Sequence, residues 1–248
     1  MTTHNALIAP DWPAPHWIKA YSTTRLGGVS LPPFASFNLA THVDDHPEHV
    51  QQNRQRLIDY AALPQAPHWL NQVHGTRVVD AHNAYNNIEA DASYTHQADT
   101  VCAVMTADCL PVLFCDDKGT QVAAAHAGWR GLLNGVLEQT IARFDCSPAH
   151  IMAWLGPAIG PQKFEVGTDV YQAFCHHSAD AAIAFKQTDP HHYLADIFML
   201  ARLRLAHAGV STINGGGICT ASDPQRFFSY RRDGKTGRMA SIIWIAKK

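Results

Sequence analysis

Three residues with metal-binding side chains stand where apolar, strand-like segments meet turns: His74 in NQVHGT, Cys109 in TADCLPV and His126 in HAGWRG. Loops on a rigid scaffold let such side chains converge in a crevice. Histidine and cysteine are preferred zinc ligands, and three protein ligands leave a fourth position open, as in catalytic zinc sites. The residues are too far apart in the chain to form a local motif, so a core cysteine with two capping histidines is the alternative interpretation.

The carboxylate of Asp108 directly precedes Cys109. Beside a bound metal it can orient a ligand or carry a proton to and from a metal-activated water, whereas its structural alternative is an Asx turn between two strands. We therefore predict Asp108 and Cys109 as catalytic residues. A different mechanism uses Cys109 as a nucleophile with a histidine as its base. Chelation separates the two, because a cysteine nucleophile survives metal removal.

Two arginines stand where an anion is expected. Arg54 follows Val50 by one turn on the apolar stripe of a predicted helix, and a guanidinium on a buried face needs an anionic partner. That partner is either a carboxylate or a substrate phosphate. Arg25 precedes a Gly-Gly turn, and such turns can direct backbone N–H groups at an anion, although most of them only reverse the chain. The basic segment 226–238 is interpreted as a solvated loop, with a substrate rim or an interface as alternatives.

The elements that must position these residues follow from periodicity. Apolar patterning predicts strands at 17–24, 100–106, 110–116, 120–126, 151–155 and 238–246, and helical period predicts helices at 45–63, 128–144, 169–177 and 197–209. Asp196 is predicted to cap the last helix, and the DDKG turn predicts a hairpin. Strands and helices mix without strict βαβ alternation, which favours an α+β fold of layered mixed β-sheets covered by helices.

Length and composition narrow the function classes. The chain has 248 residues, 46% hydrophobic and 16% charged, without repeats or flexible linkers, which predicts one domain over 1–248. A net charge of −2 without a long basic block argues against nucleic-acid or membrane partners. The N-terminus lacks signal-peptide features and no apolar run reaches the about 18 residues of a spanning helix, so we expect a cytoplasmic protein. Six cysteines without a CxxC pair favour free thiols and one metal ligand.

Ten short motifs, in order, resemble those of the laccase-domain family, also called the multicopper polyphenol oxidoreductase-like or purine nucleoside phosphorylase family. They are YSTTRLGGVS, SFNLATHVDD, NRQRL, NQVHGTRV, TADCLPVL, HAGWRGL, LGPAIGP, FEVG, CT and FSYRRDGKTGR. They cover nearly the whole chain, from about residue 21 to about residue 245, and the core motifs show no departure from the family pattern. The resemblance is therefore highly specific.

The resemblance implies a four-layer α/β/β/α fold and a zinc ion bound by His74, Cys109 and His126, the same residues that the spacing selects. It implies phosphorolysis of adenosine, inosine, guanosine and methylthioadenosine, together with deamination of adenosine. The enzyme would then be both a transferase and a hydrolase, with purine nucleosides and phosphate as its partners. We expect a monomer or a homodimer.

The nucleoside hypothesis gives the polar candidates specific roles. A metal lowers the pKa of a bound water, which suits deamination at the purine carbon that carries the amine. Arg25 and Arg54 are the predicted phosphate ligands, and Asn38 is the predicted partner of the ribose hydroxyls. Trp129 and Phe164 can stack on a planar ring, although packing in the core is the simpler role for each.

Other functions stay open from the sequence. Two histidines and a cysteine are also a blue-copper ligand set, with Met105 nearby, so copper is the alternative metal and a copper-dependent polyphenol oxidase the alternative enzyme. A multicopper oxidase builds its trinuclear cluster from His-x-His pairs, and the sixteen histidines form none. The remaining alternatives are a cysteine or metal hydrolase acting on peptidoglycan precursors, as some bacterial relatives suggest, and a metal-binding regulatory module without turnover.

Overall fold

A computed structural model describes residues 6–247 of the protein. The strands are β1 (Leu7–Ile8), β2 (Ile18–Thr23), β3 (Val78–Asp80), β4 (Ala92–Thr95), β5 (Cys102–Thr106), β6 (Leu110–Asp116), β7 (Val122–Ala127), β8 (Ile151–Leu155), β9 (Glu165–Gly167), β10 (Phe185–Gln187), β11 (His192–Ala195), β12 (Thr212–Gly215) and β13 (Met239–Ile245). The helices are α1 (Pro47–Ala61), α2 (Trp129–Asn134), α3 (Val136–Ile141), α4 (Thr168–His177), α5 (Ile197–His207) and α6 (Tyr230–Asp233). Short 3₁₀ segments occupy Pro148–His150 and Ala179–Ala184.

Within residues 6–247 the strands form three sheets. One has the order β1-β2-β13-β5, a larger one has the order β12-β8-β6-β7-β4-β3, and a small one has the order β10-β11-β9. Most neighbours are antiparallel, but β12 pairs with β8 and β3 with β4 in parallel. The mixture of sheets and helices confirms the predicted α+β class. No helix in the described part of the chain is long and apolar enough to span a bilayer.

The two larger sheets pack against each other through one apolar cluster. Val104 of β5 and Ile243 of β13 share it with Leu113, Ala124 and Trp154 of the six-stranded sheet. Because side chains alternate between the faces of a strand, the neighbouring residues of these strands point away from this cluster. They form separate clusters with the helices.

The outer faces of the two sheets carry those helical clusters. Ala103 and Ile242 of the four-stranded sheet pack with Leu57 of α1. On the other side, Val112 and Phe114 of β6 pack with apolar residues of α3, α4 and α5. The strands that read as continuous apolar runs in the sequence are therefore covered on both faces.

The predicted helix over 128–144 is wrong in one respect, because it is two helices. Gly135 separates α2 from α3 with a φ of 100°, and its N–H caps the C-terminus of α2 by bonding to the carbonyls of Gly131 and Leu132. Glycine adopts this left-handed conformation without a steric cost. The apolar stripe continues through the break, with Val136, Leu137 and Ile141 still buried.

The short connection 107–109 carries the chain from the four-stranded sheet to the six-stranded sheet. β5 ends at Thr106 and β6 begins at Leu110, and the two strands belong to different sheets. Asp108 turns the chain with a φ of 88°, and its carbonyl accepts the N–H of Ile159 at 2.9 Å. This crossover places Cys109 between the C-terminal end of β5 and the N-terminal end of β6.

Candidate metal centre

The side chains of His74, Cys109 and His126 meet beside this crossover. One ligand atom from each residue lies within 4.8 Å of the others. The Sγ atom of Cys109 is 3.7 Å from Nε2 of His74, and the two imidazole rings meet edge to face with centroids 4.8 Å apart. Zinc bonds of about 2.3 Å to sulfur and 2.0 Å to nitrogen put tetrahedral S and N ligands about 3.5 Å apart. The spacing and the donor chemistry of the three residues therefore fit one metal ion.

Three different segments position the ligands. His126 lies in β7 opposite Pro111 of β6 and is buried. Cys109 directly precedes β6 and is partly buried, while His74 is exposed in the loop before β3 with a φ of 61°. The cluster is thus buried on the strand side and open to solvent on the loop side. That geometry leaves access for a substrate.

Gly128 makes room for the cluster. A Cβ atom at this position would lie 2.7 Å from Cδ2 of His74 and 3.1 Å from Sγ of Cys109. Atoms that close repel strongly, so a side chain here would displace the ligands. The glycine in HAGWRG is therefore explained by the close approach of two ligands, and its backbone conformation does not require glycine.

Asp91 organises the site, although it is not among the residues that the sequence predicts for it. Its fully buried carboxylate bonds to Nδ1 of His126 at 2.8 Å. It also accepts the backbone N–H groups of Val73, His74 and Gly75 at 3.2, 2.9 and 2.7 Å. One carboxylate thus orients one imidazole ligand, leaves its Nε2 for the cluster, and fixes the loop that carries the other. Such carboxylate–histidine pairs are typical of metal sites.

The signal for Asp91 in the sequence is weak. The residue stands between Ala90 and Ala92 in EADASYT, at the start of a short strand. An acidic residue flanked by buried alanines needs a buried partner. Nothing local identifies His126 as that partner, because the two residues are 35 positions apart.

The charges in the cluster favour the metal-binding form of Cys109. Burial opposes ionisation of this thiol, but the charge of His126 and hydrogen bonds from His126 and His74 outweigh it and lower the pKa of Cys109 to about 6. For His126, burial lowers the pKa, while Cys109 and Asp91 raise it by a larger amount. Thiolate is the form that binds metal ions and acts as a nucleophile. Cys109 is therefore prepared for either role.

Two cavities meet at Cys109. One is a cleft of about 350 Å³ lined by His42, Gln72, His74, Met105, Thr106, Ala107, Cys109, His126, Tyr230 and Arg238. The other is an apolar cavity of about 160 Å³ lined by Ala107, Asp108, Cys109, Trp129, Ile159, Phe164, Ile197, Tyr230 and Arg231. The first offers charged and polar groups, and the second offers aromatic and aliphatic surface. A ligand with a polar part and a planar apolar part could contact both.

Asp108 lines the apolar cavity, but its carboxylate is engaged in hydrogen bonds within the fold. Its carboxylate accepts hydrogen bonds from Oγ1 of Thr220 at 2.6 Å, Oγ of Ser229 at 2.9 Å and the backbone N–H of Arg231 at 2.7 Å. These bonds tie the crossover to the C-terminal segment. Proton transfer by Asp108 would compete with three donors, so this geometry fits a positioning residue better than the predicted proton carrier.

Arg54 has no carboxylate partner within salt-bridge distance among residues 6–247, which argues against the structural ion pair. Its Nε donates to the carbonyl of Leu39 at 3.0 Å, and its guanidinium lies 4.5 Å from the ring centroid of Trp69. Burial lowers the pKa of Arg54 to about 10. Arg54 does not line the cleft. Its positive charge contributes, after burial and the charge of Arg238, to lowering the pKa of His42, which lines the cleft.

Arg25 and Asn38 do not line either cavity. The guanidinium of Arg25 donates to the carbonyls of Ala35 and Pro224 and packs over Phe228, which ties loops together. Asn38 is fully buried, and both of its amide protons and both acceptor positions are used within the fold. Both side chains therefore lie outside the two cavities with their polar groups engaged within the fold, and the phosphate role of Arg25 and the ribose role of Asn38 stay predictions from the sequence.

Comparison with known proteins decides the family. The family model described as multi-copper polyphenol oxidoreductase laccase matches residues 19–246. The chain belongs to this laccase family. It is 57% identical over 240 residues to the purine nucleoside phosphorylase YfiH of Escherichia coli, covering 96% of this chain and 98% of that protein. It is 52% identical over 242 residues to a purine nucleoside phosphorylase of Pseudomonas aeruginosa, covering 97% and 99% of the two chains.

Two solved structures share the fold of this chain. A Neisseria meningitidis protein matches with a TM-score of 0.95 and 51% identity, over 98% of this chain and all of that chain. The YlmD protein of Geobacillus stearothermophilus matches with a TM-score of 0.91 and 30% identity, over 100% and 98% of the two chains. The laccase-family chain described here has its candidate metal ligands within this shared architecture.

Proposed function

We propose that this laccase-family chain is a metal-dependent purine nucleoside phosphorylase. One observation carries the proposal: the cluster of His74, Cys109 and His126 lies where a polar, cationic cleft meets an apolar cavity with aromatic walls. Phosphorolysis needs both environments, because the base is planar and weakly polar while phosphate is a dianion. The names of the two bacterial relatives support the same activity.

The apolar cavity suits the purine base. Trp129 and Phe164 contribute ring surfaces, and Ile159 and Ile197 contribute aliphatic surface. Flat aromatic ligands pack well against such walls. The cavity has few groups that would distinguish one purine from another, so we propose adenosine, inosine, guanosine and methylthioadenosine as substrates. Selectivity would then depend on the sugar and phosphate, which the polar cleft receives.

Zinc is the proposed metal, held by Cys109, His74 and His126. Such an ion supplies Lewis acidity and lowers the pKa of water when bound. The residues of the chain would supply the remaining functions: Asp91 holds His126 in its binding orientation, and the cleft side chains bind the oxyanion. In phosphorolysis a phosphate oxygen forms a bond to the anomeric carbon, the glycosidic bond breaks, and the base leaves with the electron pair and takes up a proton. Deamination of adenosine is the second proposed activity, in which water adds to the purine carbon that carries the amine and ammonia leaves.

A copper-dependent phenol oxidase is the second candidate, favoured by the ligand set and by Met105 in the same cleft. Reduction of oxygen by a multicopper oxidase needs a trinuclear cluster in addition to the His₂Cys site. Among residues 6–247, only one group of His, Cys, Asp and Glu side chains has metal-binding geometry. We therefore rank the oxidase below the phosphorylase. A chelator distinguishes the cysteine hydrolase from both, because a cysteine nucleophile stays active when the metal is removed.

Product analysis with adenosine, with and without phosphate, tests the proposal. Wild-type protein should contain about one zinc per chain and convert adenosine with phosphate to adenine and ribose 1-phosphate, with inosine from deamination. Cys109→Ala should retain neither metal nor turnover. Cys146→Ala is the matched control, since Cys146 is another partly buried free cysteine that lines neither cavity. Full phosphorolysis by Cys109→Ala would exclude the proposed site.

We also infer a four-layer arrangement, α/β/β/α, in one domain. Its support is the apolar cluster between the two large sheets and the helical clusters on their outer faces. The cytoplasmic location and the choice between monomer and homodimer stay predictions from the sequence.

A further inference from the structure

Arg238 is the arginine of the basic C-terminal segment that enters the cleft beside the metal cluster. The others in this segment are engaged elsewhere: Arg226 pairs with Asp223 at 2.6 Å, Arg232 pairs with Asp233 at 2.6 Å, and Arg231 donates to the carbonyls of 163 and 165. Interpretation of the segment as one solvated basic loop therefore does not apply to Arg238, which is partly buried.

The fold holds Arg238 in place. Its backbone N–H donates to Oδ1 of Asn38 at 2.9 Å. Asn38 is itself fully buried and is fixed by hydrogen bonds with Ala40 and Asp45. One guanidinium nitrogen, Nη1, donates to the carbonyl of Thr236 at 2.8 Å and to that of Gly237 at 3.1 Å. Such anchoring reduces the conformational entropy that a long side chain would lose on binding a ligand.

Arg238 nevertheless has no counter-ion within salt-bridge distance in the described part of the chain. Its Nε and Nη2 groups donate to no protein acceptor among residues 6–247. Burial lowers its pKa, and the nearby Cys109 and Asp108 only partly offset that effect. A partly buried guanidinium with free donors is matched by an external anion, since its planar donors fit the oxygens of phosphate.

Two further basic groups lie around the same position. His42 lines the cleft, and its pKa is lowered by burial and then by the charges of Arg238 and Arg54. Among residues 6–247 Arg54 also has no carboxylate within salt-bridge distance, and it is held by a carbonyl and an aromatic ring. The positive charges of Arg238 and Arg54 already disfavour a third charge on His42, and a bound anion would offset the repulsion between them.

We propose that Arg238 and His42, which line the same cleft, form the binding site for a phosphate-type oxyanion to which Arg54 adds charge from outside the cleft wall. In the phosphorylase this anion is the inorganic phosphate co-substrate. The assignment of inorganic phosphate rests on the proposed function. The site lies in the same cleft as the metal cluster, so the bound phosphate would lie next to a nucleoside whose base occupies the apolar cavity. Arg238 then neutralises the phosphate and directs one oxygen at the anomeric carbon.

Calorimetric titration with inorganic phosphate tests this site without relying on turnover. Arg238→Gln should weaken phosphate binding by about ten- to a hundredfold, the range expected for losing charge-assisted hydrogen bonds. The KM for phosphate should rise by a similar factor, while metal content and melting temperature stay unchanged. Arg238→Lys keeps the charge but not the planar donors, so its phosphate affinity should lie between those of wild type and Arg238→Gln.

Arg226→Gln is the matched control, because it removes one positive charge from the same segment at an exposed surface pair. It should bind phosphate within about twofold of wild type. Arg54→Ala should weaken phosphate binding less than Arg238→Gln. Unchanged phosphate affinity in folded, metal-loaded Arg238→Gln would overturn the site.

The same titrations separate this inference from the proposed function. If wild type binds phosphate through Arg238 but cleaves no nucleoside, the phosphorylase proposal fails and the oxyanion site stands. If wild type phosphorolyses adenosine and Arg238→Gln does so with an unchanged KM for phosphate, the site fails and the function stands. Titration with adenosine 5′-monophosphate distinguishes the source of the anion: Arg238-dependent binding of the nucleotide without binding of free phosphate would overturn the co-substrate assignment.

Discussion

Asp91 links the two histidine ligands, so one carboxylate controls both the orientation of an imidazole and the shape of a loop. Burial alone would raise the pKa of Asp91, but the hydrogen bond and charge of His126 and the N–H groups of Gly75 and Val73 lower it below its ordinary value. The carboxylate therefore stays ionised, which favours the Nδ1–H tautomer of His126 and leaves Nε2 for a metal.

Asp91→Asn keeps the shape of this side chain and removes its charge. We expect zinc affinity to fall by about ten- to a hundredfold, the usual cost of losing such a carboxylate partner. Competition with a chromophoric chelator measures the change. Asp99→Asn is the control, since Asp99 pairs with Lys247 at the surface, away from the cluster. Wild-type zinc affinity in Asp91→Asn would show that the carboxylate only supports the loop.

Residue types could be recognised from the sequence, but many partners could not. The three candidate ligands were found because His and Cys at strand ends are unusual. The partners of Asp91, Asp108 and Asn38 lie far away in the chain: His126 is 35 positions from Asp91, Thr220 is 112 from Asp108 and Arg238 is 200 from Asn38. The sequence therefore shows such a polar side chain but does not show its partner elsewhere in the fold.

At the scale of elements, the turn from β7 into α2 allows the metal ligands to approach each other. Gly128 has φ −60° and ψ 156°, a conformation that alanine also adopts, so only the neighbouring atoms require glycine. Gly128→Ala should therefore weaken zinc binding by displacing His74 and Cys109, while circular dichroism shows an unchanged fold. Zinc titration measures the effect, and an affinity equal to that of wild type would show that the ligand loop moves aside without loss.

Long strands and helices were predictable because each presents several periods of apolar patterning. The strand at 151–155 and the capping of α5 by Asp196, which accepts the N–H of Met199 at 3.0 Å, are confirmed. Within residues 6–247, seven short strands were missed because two to four residues carry no usable period: β1, β3, β4, β9, β10, β11 and β12. They form by pairing with other strands, for example β3 with β4 and β12 with β8. The break at Gly135 was missed because the apolar stripe passes through it.

At the scale of the whole molecule, the candidate site brings together three segments of the chain that belong to different parts of the fold. His74 belongs to the loop before β3, Cys109 to the crossover between the two larger sheets, and His126 to β7. A metal bound by all three would cross-link these segments in the folded state. The unfolded chain holds them far apart and would bind the metal poorly. Metal binding is therefore expected to stabilise the whole fold as well as to serve a reaction.

Metal removal tests that coupling. A ligand at about a thousand times its dissociation constant stabilises the native state by about 4 kcal/mol, and each kcal/mol shifts the melting temperature of a chain this size by about 2–4 °C. A strong chelator should therefore lower the melting temperature of wild type by about 8–16 °C. The same treatment should leave Cys109→Ala unchanged, while Cys146→Ala should respond like wild type. An equal chelator shift in Cys109→Ala would mean that the stabilising metal binds elsewhere, and the cross-link through these three ligands would then be excluded.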